Sequence, residues 1–172
     1  MKSIGIDILK KVVILALVAA VTLTLMGCTK EDVSPSGGGS GTIIDLKEEP
    51  TVFCSLTMTV TGFENLEGQL LAAIFDSEDG FENDIAFVPF EVIINSEVMT
   101  LTTDSLPVGI YGAAFIHDED MNGELNTNFI GIPNESFGFS NNPSIGFSAP
   151  GWDDIQFQVT GDTAIDIELI DF

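Results

Sequence analysis

The stretch most informative about chemistry is His117-Asp118-Glu119-Asp120-Met121-Asn122-Gly123-Glu124-Leu125-Asn126. Asp118, Asp120 and Asn122 alternate, so their side-chain oxygens can converge on one point, and Gly123 permits the sharp turn that convergence needs. These residues fit positions 1, 3, 5 and 6 of an Asp-x-Asp-x-Asn-Gly calcium loop, with the Glu124 carbonyl at position 7. Calcium is a hard cation that takes six to eight oxygen ligands. Asn126 can add one of them, directly or through water.

The twelfth position of such a loop, a bidentate glutamate in an EF-hand, is here Phe129, and strands rather than helices are expected on either side. The loop is therefore not an EF-hand. Its missing ligands must come from elsewhere, with Glu135, Asn128, Asp153 and Asp154 as candidates. So few charged ligands imply an affinity in the range of about 10⁻⁴–10⁻³ M. The alternative is a metal-free loop whose Asp and Asn side chains bond their own backbone in Asx turns.

Two further groups could do chemistry. His117 beside Asp118 could form the acid–base pair of a hydrolase. However, no Ser or Cys stands in a recognisable nucleophile setting, no His-rich zinc set exists, and a single His at a strand end often serves its own loop. Phe137, Phe139, Phe147 and Trp152 could form a ligand platform, such as a carbohydrate site, or could fold inward and pin a long loop. Sugar sites usually present exposed Trp or Tyr, and the chain has one of each. Pinning is the preferred reading.

Charge narrows the classes. The chain has a formal net charge of −22, with 27 acidic residues against five basic ones. All five are lysines, there is no arginine, and only Lys30 and Lys47 follow Cys28. Nucleic-acid binding requires cationic side chains on phosphates, so it is excluded, and direct adhesion to an anionic bilayer surface is disfavoured. A field this negative favours divalent cations and cationic partners.

The N-terminus reads as a targeting segment over 1–27. Lys2, Lys10 and Lys11 precede the apolar run Val12 to Met26, which is shorter than the roughly 18 residues of a spanning helix. Leu25-Met26-Gly27-Cys28 resembles a bacterial lipobox, which implies cleavage before Cys28 and acylation of its thiol. Several acyl chains hold a protein firmly, at about 0.8 kcal/mol per buried CH₂. Thr29-Lys30-Glu31-Asp32 resembles the export signal of Bacteroidota lipoproteins, which implies an outer-membrane lipoprotein exposed at the cell surface; an ordinary charged linker is the alternative. Residues 28–50, with Ser-Pro-Ser-Gly-Gly-Gly-Ser-Gly, form a tether with a mean reach of about 25 Å.

Residues 51–172 then form one domain, and their periodicity is β. Val52–Gly62 alternates, with Val52, Cys54, Leu56, Met58 and Val60 on one face, so Cys54 is a buried thiol. Gln69–Phe75, Phe90–Asn95, Val98–Thr103, Ile110–His117, Ile155–Thr160 and Thr163–Ile170 complete about seven strands. Hairpins are expected across Asn95-Ser96-Glu97 and Gly161-Asp162, and a single helical turn within Glu78–Val88. The pattern predicts an all-β, single Greek-key β-sandwich (immunoglobulin/transthyretin-like) with one long loop from Asn126 to Asp154. Tyr111, just after Leu106-Pro107-Val108-Gly109, suits a tyrosine corner that bonds back to the preceding loop.

Leu-Pro-x-Gly-x-Tyr, His-Asp-Glu-Asp-x-Asn-Gly-Glu-Leu-Asn, Gly-Ile-Pro-x-Glu-x-Phe-Gly-Phe-Ser-Asn-Asn and Trp-Asp-Asp are together similar to the bacterial domain of unknown function 2141. The resemblance spans about Phe53 to Leu169. It implies a small secreted or lipid-anchored β domain and brings no assigned activity. Asn126 stands where members often carry aspartate. The expected function is a non-enzymatic, calcium-stabilised interaction or accessory module of the cell envelope. Its partners would be the membrane, through lipid on Cys28, and an envelope protein or glycan.

Overall fold

A computed structural model of the chain describes residues 51–146 and 148–172. The expected signal segment, the expected acylation site Cys28, the expected tether and Phe147 lie outside the described residues.

The order of elements is β1 (Phe53–Thr61), β2 (Gln69–Phe75), α1 (Glu78–Glu82), β3 (Val88–Ile93), β4 (Met99–Pro107), β5 (Gly109–Asp118), β6 (Phe137–Phe139), α2 (Trp152–Ile155), β7 (Phe157–Val159) and β8 (Thr163–Glu168). One sheet has the order β4-β1-β8, with β4 antiparallel and β8 parallel to β1. The other has the order β3-β2-β5-β6, with β7 paired to the start of β5. The all-β sandwich expected from periodicity is the architecture observed. Among the described residues no helix is long and apolar enough to cross a membrane.

Burial explains why the strands form where they do. Cys54, Leu56, Met58 and Val60 of β1 face Leu70, Ala72 and Ile74 of β2 and Phe115 of β5 across the central core. Ser55, Thr57, Thr59 and Thr61 look outward, as period-two patterning demands. Val52 stops short of this stripe and is 58% exposed, because the ladder starts at Phe53. Strand β2 is buried on both faces. Its second face packs Leu71, Ala73 and Phe75 against Phe81, Leu125, Phe137, Phe139 and Ile155, so α1, α2 and the long loop close a second core.

Two expected hairpins are corrected. β3 pairs with β2 while β4 pairs with β1, so residues 94–98 cross between sheets, with Ile94 buried in the central core. Likewise β7 joins β5 while β8 runs parallel to β1. Alternation reports which face of a strand is buried and is silent about its neighbour. Two elements also differ from expectation: Trp152–Ile155 is helical, and Phe137-Gly138-Phe139 is a strand inside the long loop. Ser77 caps α1 by accepting from the Gly80 amide at 3.2 Å, which gives the helical turn expected there.

Tyr111 behaves as a corner residue. Its hydroxyl donates to the Pro107 carbonyl at 2.8 Å, where the chain leaves β4 and enters β5 through Val108 alone.

Candidate metal centre

β5 delivers its last two residues to opposite faces of its sheet, as consecutive strand residues must go. His117 pairs with Leu70 across the ladder and Asp118 with Gln69. The two side chains therefore do not face one another as the acid–base pair expected from their adjacency would require. His117 is fully buried, with Nε2 2.9 Å from the Glu67 carbonyl and its ring edge-on to Phe63. Its Nδ1 lies 4.0 Å from Glu119 Oε1 and has no hydrogen-bond partner. Its hydrogen bond therefore ties the end of β5 to the connection between β1 and β2 and not to the loop that follows it.

Asp118 is buried at the root of the loop and organises it. Its Oδ1 accepts from the Asn122 amide at 3.1 Å. Its Oδ2 accepts from the Gly123 amide at 2.9 Å and from Gln69 Nε2 at 2.8 Å. Two left-handed residues, Met121 (φ 58°) and Gly123 (φ 81°), turn the chain tightly enough for these bonds. Asp120 accepts from the Asn122 amide at 3.1 Å and from the side-chain amides of Asn122 and Asn126 at 3.1 and 2.9 Å. Asn122 Oδ1 takes the Glu124 amide at 2.7 Å. The Asx-turn expectation is therefore met in detail, and it coexists with a converging set of carboxylates.

The third carboxylate is Glu135. It is buried, and it accepts from the Glu119 amide at 3.1 Å and the Asn126 amide at 2.7 Å, bridging the two ends of the loop. Oxygens of Asp118, Asp120 and Glu135 lie within 4.8 Å of one another. Burial pushes the Glu135 carboxyl above its usual value, and the neighbouring Asp118 and Asp120 charges push the same way, while its two backbone donors oppose them. No lysine or arginine follows Lys47, so no such side chain among the described residues neutralises this cluster. Gln69 adds a further unmet demand, since its Oε1 is buried without a partner while its Nε2 is on Asp118.

The donor set fits a hard cation. Asp118, Asp120 and Glu135 would hold it, with Asn122, Asn126 and the Glu124 carbonyl as neutral oxygen sources once the two amides present oxygen. Such a cation would supply the positive charge that converging carboxylates otherwise lack.

Of the four candidates for completing the loop, Glu135 alone joins the cluster. Asn128 Oδ1 accepts from the Ile130 and Ile132 amides at 3.0 and 3.1 Å, so it shapes its own turn. Asp154 accepts from the Gly151 amide and Asp153 from Gln156 Nε2, which fixes both on α2. Gln69 was not foreseen, because its role follows from the β2–β5 register and no motif marks it.

The aromatic platform is corrected too. Phe137 and Phe139 are 2% and 3% exposed and belong to the second core. Trp152 is half-buried and packs with its ring centroid 6.3 Å from that of Phe81. These rings pin the loop, and Phe147 lies outside the described residues.

A family model described as "Uncharacterized protein conserved in bacteria (DUF2141)" matches residues 58–167, from within β1 almost to the end of β8. The chain belongs to this family. No curated protein and no solved structure matches the chain.

Proposed function

We propose that this member of the family is a lipid-anchored, non-enzymatic module of the bacterial cell envelope whose loop end is stabilised by calcium and engages a partner. The observation that carries the reading is the convergence of Asp118, Asp120 and Glu135 within 4.8 Å, in a region with no lysine or arginine. Like charges brought so close raise the free energy of the folded loop, and a bound divalent cation reverses the sign of that interaction. The anchor rests on Lys2, Lys10, Lys11 and the Leu25-Met26-Gly27-Cys28 sequence. An outer-membrane, surface-facing location is supported by Lys30-Glu31-Asp32 in the same way.

Calcium at tenfold its dissociation constant stabilises the folded state by about 1.4 kcal/mol, which for a domain of this size raises Tm by roughly 5 °C. Thermal unfolding with millimolar calcium should show that rise, and a chelator should remove it. Asp120→Ala should melt alike with and without calcium. An equal response in Asp120→Ala and the wild type would reject the site.

A further inference from the structure

Eight residues beyond Met121 the same loop reaches a tip whose chemistry the cation site leaves unused. Phe129 is 100% exposed, Ile130 62% and Ile132 39%. The tip is nevertheless tightly built. Thr127 and Pro133 form a bridge, the Asn128 amide donates to the Ile132 carbonyl at 2.8 Å, and the Gly131 amide donates to the Asn128 carbonyl at 2.9 Å. Asn128 Oδ1 takes the amides of Ile130 and Ile132. Its base is tied to the cation loop through the Asn134 amide, which donates to the Asn126 carbonyl at 2.9 Å.

We propose that Phe129, Ile130 and Ile132 form a docking knob for an apolar pocket, rimmed by lysine or arginine, on a partner protein beyond the membrane that carries this chain. Three features support this choice of occupant. Residues 125–134 carry no charge, and the amides of Ile130, Gly131 and Ile132 are already bonded within the tip. The knob can therefore enter an apolar pocket without stranding those donors. Glu119 and Glu124, whose carboxylates are not in the cation cluster and reach solvent, lie at its base, so the matching rim is cationic.

The third feature is direction. The Val108 amide bonds the Val52 carbonyl at 3.1 Å, so the entering chain lies beside the start of β5, while the cation loop leaves its far end. Ten strand residues separate the two ends by about 30 Å. A domain tethered through its N-terminal end therefore carries the knob on the end farther from its anchor. This direction rests on the anchored reading of the preceding section.

The test uses the full chain in the bacterium that makes it, with the photo-crosslinker p-benzoylphenylalanine at position 129 or, as a control, at the exposed position Ile110. The expected result is one discrete protein adduct from 129 that is absent from 110. That partner, purified, should bind the full chain, bind at least tenfold more weakly to Phe129→Ser/Ile130→Ser, and lose affinity as salt rises. An adduct with lipid or with a second copy of the chain overturns the proposal. So does no adduct, the same adduct from both positions, or a partner that binds the variant equally well. Calcium melting curves and the mass of the N-terminal peptide, taken on the same preparations, report the cation and anchor readings separately. Either can fail while the adduct still decides the knob.

Discussion

At the Gly109 end of β5 the polar groups find donors and acceptors in balance. The Tyr111 hydroxyl reaches the Pro107 carbonyl, the Val108 amide reaches Val52, and Asp162 Oδ1 accepts from the Ser55 amide at 2.9 Å. At the Asp118 end the acceptors are in excess. Three carboxylates converge there, Gln69 Oε1 has no donor, and nearby His117 Nδ1 has no hydrogen-bond partner. One strand thus has a finished corner at one end and an acceptor-rich end at the other. The first holds the fold, and the second is where the proposed cation would change the free energy.

The largest expected effect comes from removing the group that organises the acceptor-rich end. Asp118→Ala strands the Gly123 amide and the Gln69 side-chain amide, and leaves the Asn122 amide only its bond to Asp120. A stranded donor costs about 1–3 kcal/mol, most for the buried Gln69 amide and less for the part-buried Gly123 amide, offset in part by the loss of a buried charge. A net loss near 3 kcal/mol is expected in urea unfolding without calcium, together with loss of the calcium response. A loss below about 1 kcal/mol would mean that the loop is held by its other contacts, and the contrast between the ends would weaken.

Tyr111→Phe tests the finished end. Removing the hydroxyl leaves the Pro107 carbonyl without that donor, at an expected cost of about 1 kcal/mol. The rise in Tm with calcium should be the same as in the wild type, since distant sites with no shared partner act additively. A changed calcium increment would show that the two ends are coupled along β5.

Much of this contrast was legible in the sequence, and unevenly so. β1 was readable because period two fixes both element and face locally, while β2 and β5, buried on both faces, were readable as short apolar runs. Tyr111 was readable because its partner lies four residues away. Sheet membership was not readable for β3, β4, β7 and β8, because their neighbours are set by the shared core rather than by the turns between them. β6 is three residues long and exists only through pairing with β5 and a bridge from Phe137 to Ile170. In the site, Asp118, Asp120 and Asn122 were legible from spacing. Glu135 was one of four candidates, because only the closed loop shows which of them returns to Asp118.

The smallest expected effect is also the most specific to the acceptor-rich end. Burial, reinforced by the charges of Asp118 and Asp120, raises the Glu135 carboxyl above its ordinary value of 4.5. With a folded pKa above the unfolded one, its contribution to stability is fully present below 4.5 and is lost as pH rises through the higher folded value. Calcium needs the deprotonated group, so its stabilisation runs the other way and shrinks as pH falls through that same raised value. In thermal unfolding from neutral pH downward, the calcium increment should begin to fall while still above the ordinary carboxylate range. The change should amount to less than about 1 kcal/mol. Glu135→Gln should show a smaller increment without this step. An increment in the wild type that stays flat until pH 4.5 would remove Glu135 from the ligand set and leave Asp118 and Asp120 to hold any cation.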